Sequence, residues 1–221
     1  MSTSRRLLFQ IRNVPLIHTG GTQVKLFSLD VTEGEMILLE GRNGQGKSYL
    51  LNLIAGLIIP ARGQVLLREK DVKTLSESQR SKWRRSLGLI SSTTDTLFPN
   101  YSVEDNVSLV ASALEVDEER IEPRVREALD LCKLNEYARI AVKDLSEGLK
   151  KRVLVARALV NRPDLILADE LLANLDEGFK MDLIRLFTKL PEFGYTVVLT
   201  STSRLQRNSS KFRIVPLEDC S

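Results

Sequence analysis

At 221 residues the chain is long enough to bury one substantial core, and 43% hydrophobic with 28% charged residues is ordinary for a globular protein. A formal charge of +3 is too small to argue for nucleic acid, so the scattered Lys and Arg read as a solvated surface with some attraction to anionic lipid heads. Cys132 and Cys220 lie far apart without metal-type spacing, and Cys132 reads as a small core residue in a chain that suits a reducing compartment.

The start, Met1 to Arg6, lacks the apolar run of a signal peptide. Residues 7–14 and 25–31 alternate apolar and polar as half-buried strands do, with a turn at Thr19–Thr22 between them. Thr32–Glu35 is a second turn, and Met36–Glu40 is a short buried strand. Then comes Gly41-Arg42-Asn43-Gly44-Gln45-Gly46-Lys47-Ser48, a full match to the Gly-x-x-x-x-Gly-Lys-Ser/Thr phosphate loop, with Tyr49 and the next six residues opening a helix that ends near Gly56. A loop between a strand's end and a helix's start is where the physics requires it. Glycines let several N–H groups point at one centre, and the helix N-terminus adds partial positive charge. Lys47 would neutralise the β- and γ-phosphates of a nucleoside triphosphate, and the Ser48 hydroxyl would bind Mg²⁺.

The most apolar stretch, Leu50 to Ile59, contains Asn52 and stops at Pro60, too short to span a bilayer. Any membrane role must go through a partner. Gln64–Arg68 reads as a strand, and Ser76-Glu77-Ser78-Gln79 has capping-box spacing for a helix to Arg85. Leu87–Ile90 is a short strand, residues 91–101 a polar loop, and Ser102 caps a helix to about Leu114. Residues 117–134 carry apolar positions at helical spacing, so a helical lobe is expected at about 93–150 within a single domain over 1–221. Ser146 opens another helix, Asp164–Ala168 is a strand buried on both faces, and Phe179–Leu190 is helical. Tyr195–Thr200 is a further buried strand, and Phe212–Leu217 an edge strand, because Pro216 cannot serve a central one. The fold class is α/β, a mostly parallel sheet flanked by helices, with an N-terminal antiparallel β portion.

A phosphate loop alone leaves the chemistry open. Leu165–Ala168 ends in Asp169-Glu170, and a buried strand can hold an acid only at its tip, where a metal, water or a cation compensates it. Asp169 would hold Mg²⁺ through water and Glu170 would polarise the attacking water, the alternative being an acidic pair that caps the next turn.

With these residues the chain resembles the ATP-binding subunits of ABC transporters along nearly its whole length. Leu145-Ser146-Glu147-Gly148-Leu149 stands where that family carries Leu-Ser-Gly-Gly-Gln, and Ala173-Asn174-Leu175-Asp176 matches its D-loop. The resemblance implies an ABC-type P-loop ATPase domain whose subunits pair head to tail, as a homodimer or with a homologous ATPase. Ser146 and Gly148 would then contact the γ-phosphate held by the partner, with Asp176 at the shared interface. It also implies an integral-membrane permease as partner, no nucleic acid, and a cytoplasmic place on the inner face of the cell membrane. Ser146 as a plain helix cap is compatible with that role. Leu-Ala-Asp-Glu followed by Asn-Leu-Asp looks most like the FtsE, LolD and MacB group, which serves cell division, lipoprotein release and efflux. His18, the chain's one histidine, occupies the place of the family's aromatic adenine platform, and would stack on adenine or sit in a surface turn.

The chain departs from the family in several places. Ser201 replaces the switch histidine, Ser92 or Thr93 replaces the Q-loop glutamine, Glu147 and Leu149 replace a glycine and the glutamine of the signature, and Leu171 replaces the proline after the catalytic acid. Glu147 would place a carboxylate near a triphosphate, unfavourable unless it turns outward. These changes spare binding and strike at turnover: a lost phosphate donor costs roughly 10²–10³ in rate and a lost proton-handling group about 10²–10⁴. The expectation is a slow ATPase in which binding drives closure and Ser201 donates to the γ-phosphate. The alternative is a regulatory subunit with little hydrolysis, paired with an active homologue.

Overall fold

The computed structural model describes residues 6–17, 24–202 and 211–217. Along the chain run β1 (Leu7–Ile17), β2 (Val24–Thr32), β3 (Met36–Glu40), α1 (Lys47–Ile54), β4 (Gln64–Leu67), β5 (Lys70–Asp71), α2 (Glu77–Arg85) and β6 (Leu87–Ile90). Next come α3 (Val103–Ala113), α4 (Glu118–Leu131), α5 (Glu147–Leu159), β7 (Leu165–Ala168), α6 (Glu177–Phe187), β8 (Thr196–Ser201) and β9 (Arg213–Pro216). The turn expected at 19–22 lies outside the described residues.

An antiparallel sheet has the order β2-β1-β4-β5, and a parallel one the order β6-β7-β8-β3-β9. Alternation along the parallel strands divides the interior into two cores. Met36, Leu38, Ile166, Ala168, Val197 and Leu199 face a core built with α3, α4, α5 and α6. Ile37, Leu39, Leu165, Leu167 and Val198 face the other, built with α1 and the antiparallel sheet. Strands buried on both faces read as unbroken apolar runs for this reason. β9 is an edge strand, and Pro216 stands opposite Glu40 at its end.

The helix starts follow local chemistry. Ser76 accepts from Gln79 N while the Gln79 side chain accepts from Ser76 N, and Ser102 with Asp105 repeats the exchange. Each closes two amides that would otherwise lack partners. α1 begins at Lys47, two residues before the expected Tyr49, with Gly46 in left-handed backbone at φ 89° as its cap. Its last turn is satisfied from outside, since Trp83 Nε1 of α2 donates to the Ile54 carbonyl at 2.7 Å. The helix expected at 179–190 runs from Glu177 to Phe187, followed by a single tighter turn over Leu190–Phe193. The two-residue β5 has too short a pattern to be read from sequence. Cys132 is fully buried and desolvation pushes its thiol up to about 12, so it packs as an apolar group.

The register aligns the parallel strands' C-terminal ends. Ile90 stands opposite Ala168, Ala168 opposite Leu199, and Glu40 opposite Ser201. The phosphate loop, Asp169–Glu170, the segment after Ile90 and Ser201–Thr202 therefore all emerge at one edge, where parallel sheets bind ligands.

Candidate functional site

The loop from Gly41 to Ser48 turns on two glycines in left-handed backbone, Gly44 at φ 81° and Gly46 at φ 89°. A Cβ at Gly46 would also press on Leu16 Cδ2 at 3.3 Å, so β1 backs the loop directly. Gly41 N donates to the Ser201 carbonyl at 3.1 Å, tying the loop to the end of β8. Arg42 N donates to Gln45 Oε1 at 2.6 Å, and Gln45 is buried across the turn. Asn43 is exposed at its tip, and Tyr49 packs half-buried against the antiparallel-sheet core.

Lys47 is 6% exposed, and its Nζ donates to the Gly41 and Arg42 carbonyls at 2.5 and 2.9 Å. The same Nζ lies 3.1 Å from Glu170 Oε1. That contact is off the hydrogen-bond direction, so the buried carboxylate oxygen has a Coulombic partner and no hydrogen bond. Glu170 Oε2 accepts from Thr202 N at 3.1 Å and Thr202 Oγ1 at 3.3 Å. The Glu170 backbone is left-handed at φ 46°, a conformation that costs a residue with a Cβ about 1–2 kcal/mol. Tertiary contacts impose it: Glu170 N donates to Thr200 Oγ1 at 2.8 Å, and Thr200 Oγ1 donates to Asp169 Oδ1 at 2.7 Å. Ser48 Oγ donates to Asp169 Oδ2 at 2.6 Å. Ser48 and Asp169 thus set two oxygen donors side by side, which suits a small hard cation that keeps most of its own waters. Among the described residues no group of three or more His, Cys, Asp or Glu forms an all-protein metal cage.

The residues around α5 lie apart from this cluster. Among the described residues Ser146, Glu147 and Gly148 make no hydrogen bond or ion pair to 41–48. Ser146 caps α5, accepting from Leu149 N at 3.4 Å, and is exposed. Glu147, the first residue of α5, accepts at Oε1 from Thr94 Oγ1 at 3.2 Å. Gly148 is buried, and a Cβ there would sit 2.2 Å from Phe179 Cδ1. Its need for glycine therefore has a cause within the chain. Asp176 caps α6, accepting from Phe179 N at 3.0 Å, and Asn174 before it is left-handed at φ 60°. His18 lies outside the described residues.

The ABC transporter family model matches residues 24–173. This chain belongs to the ABC transporter family of ATP-binding domains. It is 32% identical over 192 residues to the cell division ATP-binding protein FtsE of Bacillus subtilis, covering 87% of this chain and 84% of that protein. Import ATP-binding proteins match as well, and this ABC domain spans between 50% and 61% of their length. Among solved structures, CbiO1 of Clostridium perfringens, part of the ABC transporter complex CbiONQ, superposes with TM-score 0.80 at 28% identity, over 90% of this chain and 79% of that one. The MJ0796 cassette, a dimer in a post-hydrolysis state bound to ADP and Pi, gives TM-score 0.77 at 29% identity over 96% and 94% of the two chains.

Two groups of this ABC domain escape a reading by motif. Thr202 holds the Glu170 carboxylate, while the neighbouring Ser201 is buried with its carbonyl on the phosphate loop. Thr200 joins both acids. The available signal was a run of hydroxyls ending a buried strand, Thr200-Ser201-Thr202, where desolvation makes polar groups costly unless bonded.

Proposed function

We propose that this ABC domain binds Mg·ATP at the phosphate loop and hydrolyses it slowly, as one half of a head-to-tail pair that drives an integral-membrane partner. The observation that carries this reading is Glu170, strained in left-handed backbone at the tip of a buried strand and held between Lys47 and Thr202. Left-handed backbone is shared by Glu69 at φ 69° and Glu115 at φ 59°; what sets Glu170 apart is a carboxylate with a buried lysine beside one oxygen and the Thr202 N–H and hydroxyl on the other.

Lys47 is already aimed across the loop mouth, and phosphate oxygens replace its carbonyl contacts when nucleotide enters. Loop amides and the α1 N-terminus share the remaining charge. Ser48 and Asp169 would hold a Mg²⁺ ion, which would supply positive charge against the bound triphosphate. Glu170, released by Lys47, accepts a proton from the attacking water, and Thr202 keeps its second oxygen oriented. Ser146 and the first amides of α5 close on the partner copy's γ-phosphate, with Gly148 and Asp176 framing that surface. Such a pairing is supported by the dimeric ADP·Pi-bound relative.

Along the same sheet edge a groove of about 560 Å³ runs from Ser48 and Asp169 outward between α1 and the helical lobe. Leu51, Ala55 and Leu57 line one wall, and Val110, Leu114 and Leu154 the other. A cytoplasmic helix of the membrane partner docks in this groove, so the chain works at the inner face of the membrane. No helix among the described residues is long and apolar enough to cross it. Likeness to FtsE supports a role in cell division, with export and lipoprotein release as the other processes of that group.

The test is purification with co-expressed membrane proteins, followed by ATPase assay of wild type against Glu170→Gln. Recovery of an integral-membrane protein and a fall of about 10²–10⁴ in turnover are expected. Equal rates would remove the enzymatic reading and leave the regulatory subunit that pairs with an active homologue.

A further inference from the structure

Residues 91–98, which leave β6 where the family carries its glutamine, lie along one face of α5 and are held there at successive turns. Glu147 accepts from the Thr94 hydroxyl at 3.2 Å. One turn on, Lys151, only 3% exposed, donates to the Ser92 carbonyl. Arg157 Nη1 donates to the Thr96 carbonyl at 2.5 Å, and its guanidinium lies 5.8 Å from the centre of the Phe98 ring. Between them Leu97 is buried in the same core as Val153 and Leu154. From α3, Asn106 bonds both the N–H and the carbonyl of Phe98, at 2.8 and 3.0 Å. The segment and α5 are thus one packed unit.

Two departures from the family pattern meet in that unit. Glu147 stands in place of the signature's first glycine, and Thr94 lies in the segment that lacks the glutamine. A carboxylate beside Ser146 has two attractions, its own helix N-terminus and the Thr94–Lys151 side. Only the second removes it from an anion approaching Ser146. Burial lowers the pKa of Lys151 on balance, and the nearby charges of Glu147 and Asp95 offset part of that cost.

We propose that Thr94 and Glu147 are positioning residues: the Thr94 hydroxyl holds the Glu147 carboxylate against residues 91–98, so that Ser146 can close on a partner copy's triphosphate without like-charge repulsion. This rests on the head-to-tail reading above. It turns two apparent losses into one compensated pair. It also makes the segment beside the groove move with the helix that faces the partner copy.

The test is a double-mutant cycle in the full chain, reading by sedimentation the concentration of a non-hydrolysable ATP analogue that gives half-maximal dimer. Thr94→Val raises that concentration roughly three- to ten-fold, the net size of one lost part-exposed hydrogen bond, and Thr94→Ser restores it. In a Glu147→Gln background Thr94→Val changes nothing, because no charge is left to direct. High ionic strength shrinks the Thr94→Val effect in the Glu147 chain. Equal Thr94→Val effects in both backgrounds, or none in either, overturn the proposal while leaving the pairing intact. A wild-type chain that never dimerises with the analogue overturns the pairing, and the proposal with it. Hydrogen exchange of residues 91–98 without nucleotide checks the contact by itself. Thr94→Val and Glu147→Ala, each of which abolishes the hydrogen bond, should speed exchange by a similar factor and the double no further; additive effects overturn it.

Discussion

The sheet edge that carries the phosphate loop and the start of α5 solve opposite problems. At the edge every charge is answered within the chain: Lys47 by two carbonyls and Glu170, Glu170 by Thr202, Asp169 by Ser48 and Thr200. At α5 the exposed Ser146 hydroxyl makes a single long bond to its own helix, and in the proposed head-to-tail pair it is completed by another molecule. A cluster built round a buried lysine cannot lose its partners without leaving that charge unanswered, and here Lys47, Ser48, Asp169 and Glu170 all stand where the phosphate-loop and strand-tip pattern expects them. A surface completed by a partner can exchange residues if the new charge is compensated nearby, the part we propose for the Thr94 hydroxyl on Glu147.

Breaking the edge should therefore cost most. Lys47→Ala removes from Glu170, with its side chain 19% exposed, the cation it pairs with among the described residues. A loss of about 3 kcal/mol in stability is expected by denaturant unfolding, together with loss of nucleotide binding by fluorescence titration. Restoring stability with Lys47→Ala/Glu170→Gln, but not binding, would separate the two roles of the lysine. At α5 the largest expected effect has no connection to nucleotide. Gly148→Ala drives a methyl into Phe179 and costs about 1–3 kcal/mol, read as a lower Tm, and Phe179→Ala in the same chain relieves it. If Gly148→Ala leaves Tm unchanged but weakens ATP-driven pairing, the residue serves the partner alone. Smallest is Thr202→Val, which keeps the backbone N–H bond to Glu170 and removes the 3.3 Å hydroxyl contact. Turnover should fall about five-fold, near 1 kcal/mol, with nucleotide affinity unchanged. A larger effect from Ser201→Ala would return the switch role to Ser201.

Much of the architecture is legible because its causes are local. Met36–Glu40 is a strand at the expected residues because both its faces are covered and it must be apolar throughout; Leu87–Ile90 is one too, as an edge strand whose Leu89 is exposed while Leu87 and Ile90 enter the two cores. The helices at Ser76 and Ser102 begin where a hydroxyl stands three residues before an acid or amide. Pro216 places its strand at the edge because it brings no N–H. The loop from Gly41 to Ser48 is legible for a similar reason, as glycine spacing and Lys47 act within eight consecutive residues.

Sequence by itself determined the order of strands and helices, the phosphate-gripping loop and the acids at the strand tip, because period, caps and glycine spacing act between near neighbours. Tertiary structure alone decided that Thr202 orients Glu170, that Phe179 covers Gly148 and that Thr94 takes hold of Glu147. Those pairs are separated by about 30 to 50 residues, and no local pattern encodes which distant side chains a sheet's register and a helix's packing bring together.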